Sequence, residues 1–299
     1  MLGPVQFISY SEDVVIIFNA HHVQYHIFSD NKQLFASAPV HEVHEVKKTV
    51  ERCTAATKDW CAPRRLRLND GRMEVIWLGT RGRLQQLADI ESHIIKPPTV
   101  VRDLGVFIDA ELTFCEHVRR VTSSYFFHLR RLRQIRKHVN RQVMEQLVHA
   151  FVISRLVYCN GILAGLPMKL LGHLQRVQNS AARLVLGLQP CDHIKPALSE
   201  LHWMPVHLRI QYKLCLFLHS VTVQCCPNYI SNIVQNTVIY CSAYKDKAQR
   251  TCVLCQGLTT WNSLLYDICK ITDANTFKRH LKFYFQSFLH VGLGYSFML

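Results

Sequence analysis

The first hundred residues alternate between short apolar runs and polar turns, a pattern typical of mixed α and β structure. Residues 14–18, 27–28 and 34–36 are rich in branched and aromatic side chains and predict strands. The acidic turn Asp30-Asn31 separates the last two runs, so the sequence predicts a hairpin there. Asp and Asn favour such a turn because they tolerate left-handed backbone and bond their own chain.

The rest of the first 110 residues predicts one helix and further strands. Residues 43–56 carry apolar side chains at helical spacing on an otherwise charged segment, which predicts a helix. Residues 66–78 predict a second hairpin about the turn Asp70-Gly71. The apolar pairs within residues 100–108 predict a last strand or pair of strands.

From about residue 112 onward the apolar residues recur at helical spacing. The turn Gly165-Leu166-Pro167 and Pro190 mark helix ends. The pattern predicts helices over residues 118–139, 142–156, 170–188, after Pro205, and 275–289, with a polar linker over 244–250. The predicted fold class is therefore α+β, with hairpins and a helix over residues 1–110 and mainly helical structure over residues 111–240 and 241–299.

Charge is distributed very unevenly along the 299 residues, whose net charge is +14 and pI about 9.4. Residues 1–116 carry 13 Lys+Arg against 15 Asp+Glu, whereas residues 117–299 carry 22 against 6. This asymmetry favours a polyanionic partner for the second part, nucleic acid before membrane surface. The sequence shows no apolar run of about 18 residues and no secretory signal. We therefore expect no membrane span and an intracellular protein, in nucleus or cytoplasm.

One predicted helix concentrates the basic residues, and no acid lies between residues 118 and 141. Its cations are Arg119, Arg120, Arg130, Arg131, Arg133, Arg136, Lys137 and Arg141. They form either a solvated helix face or a surface that neutralises phosphates. The adjacent Tyr125, Phe126 and Phe127 either stack on bases or, as helical spacing favours, lie in the core.

Two features have the residue types of a metal site. Cys252 and Cys255 have the spacing of zinc ligands, but zinc needs four ligands and a second pair with regular spacing is missing. Whether these cysteines bind metal stays open. Asp30 is either a metal ligand, as in polymerase chemistry, or a turn residue.

A series of motifs in a fixed order extends over most of the chain. They are Leu2-Gly3-Pro4-Val5-Gln6-Phe7, residues 26–34, Trp60, Leu66-Arg67-Leu68-Asn69 with Glu74, Leu104-Gly105-Val106-Phe107-Ile108-Asp109 with Leu112, Phe114 and His117, residues 154–160, Gly165-Leu166-Pro167, residues 174–183, Leu201-His202-Trp203-Met204-Pro205-Val206, and Trp261-Asn262-Ser263-Leu264. In this order they resemble the C-terminal part of a jockey-like reverse transcriptase from LINE-type, non-LTR retrotransposons.

The resemblance implies a fold and a chemistry. It implies a partial reverse-transcriptase palm over residues 1–110, a basic thumb-like helical domain over 111–240, and a linker with a C-terminal helical segment over 241–299. The family is an RNA-directed DNA polymerase whose carboxylates hold two Mg²⁺ ions, and Asp30 matches one of these catalytic, metal-binding residues.

Several departures from the family pattern affect that chemistry. Asn31 stands where the family has its second hairpin aspartate, and a neutral amide does not offset metal charge as a carboxylate does. The sequence begins after the strand that carries the upstream aspartate. Arg72-Met73 stands where the family often has Lys-Thr, and a guanidinium is a poor proton donor.

The expected function is that of a truncated, inactive remnant of this polymerase, with no functional Mg²⁺ site, whose basic helical half still binds RNA or an RNA–DNA duplex. One alternative is a working RNA-directed DNA polymerase, and another is a helical interaction or scaffold protein. A further alternative is that the chain forms no stable fold, since a palm without its first strands leaves apolar edges uncovered. The sequence does not define an oligomeric state.

Overall fold

A computed structural model describes residues 3–90, 98–243 and 253–290. Most of these residues are helical, and two small antiparallel hairpins supply the strands, which makes the fold α+β as predicted. The strands are β1 (Gln24–Phe28), β2 (Asn31–Phe35), β3 (Val100–Asp103) and β4 (Val106–Asp109). The helices are α1 (Gly3–Ser11), α2 (Val14–Ala20), α3 (Val43–Cys61), α4 (Arg81–Ile90), α5 (Cys115–Ile135), α6 (Arg141–Val148), α7 (Ser154–Val157), α8 (Met168–Leu186), α9 (Ile194–Glu200), α10 (Val206–Thr222), α11 (Asn228–Ala243), α12 (Val253–Asn262), α13 (Tyr266–Cys269) and α14 (Ala274–His290).

The described residues form two units. The first contains residues up to 101 together with 110–112, and the second contains residues 102–109 together with those from 113 onward. None of the helices in the described ranges is long and apolar enough to span a membrane.

The first unit contains the predicted acidic hairpin, which the structure confirms. In the β1–β2 ladder Phe28 pairs with Asn31, so the connection has two residues, Ser29 and Asp30. Ser29 adopts the left-handed conformation, with φ of 56°. The prediction that Asp30 or Asn31 would take this conformation is therefore wrong, since the ladder places Asn31 in strand β2.

Two predicted strand segments of this unit are wrong. Residues 14–18 form the first part of α2, because Val14 and Phe18, four residues apart, are both buried on one helix face. Residues 66–78 form no hairpin: the segment turns in a 3₁₀ helix (Asp70–Arg72) closed by the bond from Arg72 N to Asn69 O. The following chain bonds elsewhere, with Gly79 N donating to Ala110 O at 3.0 Å, and α4 then begins without having been predicted.

The second unit confirms the predicted helices. Helices α5, α8 and α10 match the segments 118–139, 170–188 and the one after Pro205, and α14 matches the terminal one. The segment predicted over 142–156 is helical too, but a π-helical turn (His149–Ile153) interrupts it between α6 and α7. Side chains from α5, α6, α8 and α10 share one buried core. Helices α9, α11, α12 and α13 were not predicted, and the linker predicted over 244–250 lies outside the described residues.

Buried side-chain amides connect α8 to the start of α10. Gln178, which is fully buried, donates from Nε2 to Met204 O at 2.8 Å, and Gln175 Oε1 accepts from Val206 N at 2.8 Å. Arg209 Nε also donates to Met204 O at 2.8 Å, and burial lowers the pKa of Arg209 to about 10. We call Gln175 and Gln178 the glutamine clamp. It gives the backbone N–H of Val206 its acceptor and shares the carbonyl of Met204 with Arg209, so that these polar groups have partners.

A second core joins α10 to the C-terminal helices. Phe277 of α14 is 0% exposed and stacks on His219 of α10, with ring centroids 3.9 Å apart and planes 14° apart. His219 Nε2 donates to Ile271 O at 2.7 Å, which fixes the imidazole against the ring. Leu281 and Phe285 continue the same buried face of α14.

Truncating the aromatic ring at the centre of this second core tests how much that ring stabilises the unit. We expect Phe277→Ala to lower the free energy of unfolding by about 3–5 kcal/mol, because removing a large buried ring leaves a cavity. Urea unfolding followed by circular dichroism measures the change. The control is Phe283→Ala in the same helix, where the ring is 67% exposed and the cost should stay within about 0.5 kcal/mol. Equal costs for both variants would contradict the packing described.

Candidate nucleic-acid interface

Helix α5 separates its apolar and basic residues onto different faces. Its buried side chains are spaced at helical intervals, and most of its arginines point to solvent. The buried residues are His117, Val118, Tyr125, Leu129 and Leu132. Because the helix repeats every 3.6 residues, this spacing leaves one continuous exposed face that carries charge.

The start of α5 is held by residues of the hairpin that precedes it. Asp109 accepts hydrogen bonds from the backbone N–H groups of Thr113 and Phe114, at 2.8 and 2.7 Å. His117 Nδ1 accepts a hydrogen bond from Phe107 N at 3.3 Å, and burial lowers the pKa of this imidazole. Backbone donors ahead of the helix are thereby satisfied, which fixes where α5 begins.

An acid just before the basic run forms ion pairs with two of the predicted binding residues. Arg119 donates from Nε and Nη2 to the two carboxylate oxygens of Glu116 at 2.8 and 2.7 Å, and Arg120 donates from Nε to the same group. These bonds lower the pKa of Glu116 to about 2. The Arg120 guanidinium also lies 4.4 Å from the centroid of the Phe107 ring. Both arginines therefore have partners within the chain.

Two more of the predicted cations have structural partners. Arg136 donates from Nε to Leu184 O at 2.9 Å and from Nη2 to Val185 O at 3.1 Å. These carbonyls belong to the last turn of α8, where acceptors lack partners within the helix and a cation is favoured. Arg141 forms an ion pair with Glu200 at 2.6 Å, with both side chains about half exposed.

The remaining four cations form the free part of the predicted site. Arg130, Arg131, Arg133 and Lys137 are exposed and make no ion pair with an acid among the residues that the structure describes. The Arg131 guanidinium lies 5.4 Å from the centroid of the Phe127 ring. We call these four residues the basic face. They combine open positive charge with a helix whose other side is fixed in the core.

Aromatic rings are exposed beside the basic face, and of these the sequence offered only Phe127 as a ring that could stack on bases. Tyr125 is buried, and burial raises its pKa to about 12, but Phe127 of the same run is 49% exposed. His128 stacks on Phe151 of the π-helical turn, and Phe151 is 42% exposed. The structure buries Tyr125, as helical spacing favours, but the core position favoured for Phe127 is wrong. The exposure of Phe151 could not be derived from the spacing, because the π-helical turn changes it.

In addition to the basic face, the structure has a groove lined by basic residues along α14. It has a volume of about 540 Å³, and Lys278, Arg279 and Lys282 line it together with Tyr212 and Phe283. Hydrogen bonds from Thr276 lower the pKa of Asp273 at the start of the helix, and the charge of Arg279 adds to this effect. The sequence predicted the helix but not this groove.

The predicted metal residues do not come together. Asp30 is exposed at the tip of its hairpin, beside the neutral Asn31. Among the described residues, no three His, Cys, Asp or Glu side chains are close enough to hold a metal ion. The hairpin therefore offers Mg²⁺ a single carboxylate, which does not fit a two-metal site. Cys255 is disulfide-bonded and Cys252 lies outside the described residues, so the structure does not describe a zinc site at this pair.

Comparison of the chain with protein-family models, with curated proteins and with solved structures finds no match. The fold and the site define an α+β chain with a basic helical unit. Its function is inferred from the charge and geometry of that unit.

Substitution separates an arginine that joins two helices, Arg136, from an exposed arginine of the basic face, Arg133. We expect Arg136→Ala to lower the free energy of unfolding by about 1–3 kcal/mol, because it removes the donors to Leu184 O and Val185 O. The matched control is Arg133→Ala, since Arg133 is exposed and its removal should cost within about 0.5 kcal/mol. Urea unfolding of both variants measures the difference. A cost for Arg133→Ala as large as for Arg136→Ala would contradict these assignments.

Proposed function

We propose that this chain is a non-catalytic relative of LINE-type reverse transcriptases, and that its basic helical unit binds RNA or an RNA–DNA duplex through α5. The ordered sequence motifs support the family, and the charge excess of residues 117–299 supports a polyanionic ligand. The observation on which the proposal chiefly rests is the basic face: four exposed cations without an acidic partner among the described residues.

Open cations on a fixed helix suit a phosphate backbone for two physical reasons. Each phosphate that a cation neutralises releases condensed counterions, so binding gains free energy that falls with salt. A helix already packed in a core loses little conformational freedom when it binds. The four like charges repel each other in the free protein, and a polyanion relieves this repulsion.

The spacing of the basic face also suits a nucleic-acid strand. Arg130, Arg133 and Lys137 follow each other at intervals of three and four residues and therefore lie along one side of the helix. From residue 130 to residue 137 the axis rises about 11 Å, allowing for the 3₁₀ turn Arg136–His138. This length corresponds to about three nucleotides, at about 3.4 Å of axial rise each.

The proposal of a non-catalytic protein depends on the hairpin that resembles the family's metal site. Polymerase chemistry there requires carboxylates that hold two cations near the primer hydroxyl and the leaving pyrophosphate. Asp30 is the carboxylate of this hairpin, and the amide of Asn31 stands beside it. The basic face belongs to the other unit, so its charge does not depend on this hairpin.

Removal of three cations from the basic face tests nucleic-acid binding. For Arg130→Gln with Arg133→Gln and Lys137→Gln, we expect weaker binding to a blunt RNA–DNA hybrid. The slope of log K against log salt should become less steep by about 1 for each phosphate that the variant no longer neutralises. Fluorescence anisotropy with the labelled hybrid at salt concentrations between about 50 and 200 mM measures both quantities.

The matched control removes the same charge at exposed lysines elsewhere in the second unit. It carries Lys169→Gln, Lys195→Gln and Lys213→Gln, three exposed positions on α8, α9 and α10. We expect a smaller decrease in affinity and a slope close to that of the unsubstituted chain. Equal decreases for the two triple variants, or binding that does not depend on salt, would rule out α5 as the interface.

Primer extension tests the proposal that the chain is non-catalytic. We expect no extension of a DNA primer on an RNA template with Mg²⁺ and deoxynucleotides, because Asp30 and Asn31 supply one carboxylate between them. Extension that disappears in the Asp30→Ala variant would show that the hairpin is a working site, in favour of a polymerase. Activity unaffected by Asp30→Ala would indicate a different source of the activity.

A further inference from the structure

We propose that the exposed rings beside the basic face bind an unpaired nucleobase, so that the chain recognises a single-stranded segment adjoining the duplex held by α5. The aromatic patch consists of Phe127, His128 and Phe151, with Arg131 and Arg155 at its margins. This inference rests on the proposed function and specifies which form of nucleic acid the site selects.

The three rings form one continuous aromatic surface. His128 and Phe151 stack with centroids 6.0 Å apart and planes 24° apart, and Phe127 meets the edge of His128 at 5.8 Å and 73°. Phe127 and Phe151 come from different helical elements, and each exposes more than two-fifths of its surface to solvent. Exposed rings that converge from separate elements offer aromatic faces on which a planar base can stack, although the Phe127 ring lies steeply inclined to the other two.

The π-helical turn is responsible for presenting Phe151. Met144 is fully buried, and in an uninterrupted α-helix Phe151, seven residues later, would face almost the same direction. The turn His149–Ile153 widens the helix, so that Val152 and Ile153 are buried and Phe151 faces solvent. Such π-helical insertions are frequent at functional sites.

The charge around the patch favours nucleic acid over a protein partner. The Arg131 guanidinium lies over the Phe127 ring, and Arg155 Nη1 donates to His128 Nε2 at 3.4 Å. Within the described part of the chain neither arginine forms an ion pair. Rings bordered by arginines occur at protein interfaces as well, but here they adjoin four exposed cations without an acidic partner among the described residues, which matches a base attached to a phosphate.

Arg131 connects the aromatic patch to the basic face. Arg131 belongs to the basic face and also contacts Phe127, so the two surfaces are continuous along α5. Bases inside a duplex are stacked on each other and cannot lie on a protein ring. The ligand that satisfies both surfaces is a duplex with an unpaired overhang. Its duplex phosphates contact the cations, and a base of the overhang stacks on the rings.

The test compares three RNA–DNA hybrids of the same duplex length, using the full chain. One is blunt, one has a four-nucleotide overhang containing the fluorescent base 2-aminopurine, and one has an abasic overhang with the same phosphates. We expect the base-containing overhang to bind about tenfold more tightly than the abasic one, within the range of about 5- to 150-fold for one stacked base. We also expect 2-aminopurine fluorescence to fall on binding as the base stacks.

The diagnostic variant is Phe127→Leu with Phe151→Leu, which keeps apolar volume but removes the rings. We expect the advantage of the base-containing overhang and the fluorescence change to disappear in this variant, while its binding to the blunt hybrid keeps the original salt slope. The control is Phe35→Leu with Tyr266→Leu, two exposed rings elsewhere, which should behave like the unsubstituted chain. Thermal unfolding of each variant shows that any weaker binding does not come from unfolding.

Two results would overturn this inference without affecting the proposed function. They are equal binding of base-containing and abasic overhangs, and an overhang advantage that survives in the Phe127→Leu and Phe151→Leu variant. In the second case, a change in the self-association of that variant would identify the patch as a protein-binding surface. Failure of the proposed function appears separately, as the absence of salt-dependent binding to the blunt hybrid.

Discussion

The buried hydrogen bond from Gln178 to the carbonyl of Met204 is the constraint on which the second unit depends. An amide with no exposure to solvent must have its partner, or its desolvation is uncompensated. The bond fixes α8 against the loop before α10, and that loop connects the two apolar cores of the unit: Val206 packs in one and Met204 in the other. Since Arg136 joins the end of α8 to the end of α5, the position of the basic face follows from the same constraint.

Several of the segments on which the proposed relation to LINE-type reverse transcriptases rests have structural roles. The motif over residues 174–183 contains the glutamine clamp, and the motif over residues 201–206 supplies its acceptor and donor. In the motif over residues 104–109, Asp109 satisfies the backbone donors ahead of α5. In these segments the described contacts hold helices together. They do not bear on activity, for which the relevant residues are Asp30 and those of the basic face.

The sequence predicted the features of the fold that depend on local periodicity. The apolar stripe of α5 and the hairpin that contains Asp30 are examples, since both depend on spacing within one segment. Residues 14–18 were misread because a short run of branched residues suits a strand as well as a helix, and burial of Val14 and Phe18 decides between them. The roles of Arg136 and Arg141 could not be predicted, because their partners lie 48 to 59 positions away in the sequence. The exposure of Phe151 depends on a π-helical turn for which the apolar spacing gave no signal.

Fewer basic residues are available to bind a polyanion than the sequence contains, because several of them already have partners within the chain. Glu116 and Glu200 form ion pairs with three of the eight predicted cations, and Arg136 is used to cap α8. The remaining four lie toward the C-terminal half of α5 and just beyond it, next to the exposed rings of Phe127 and Phe151. Charge without rings would hold any duplex, and rings without charge would suit many apolar partners. Their continuity through Arg131 is what favours a ligand with phosphates and an unpaired base together.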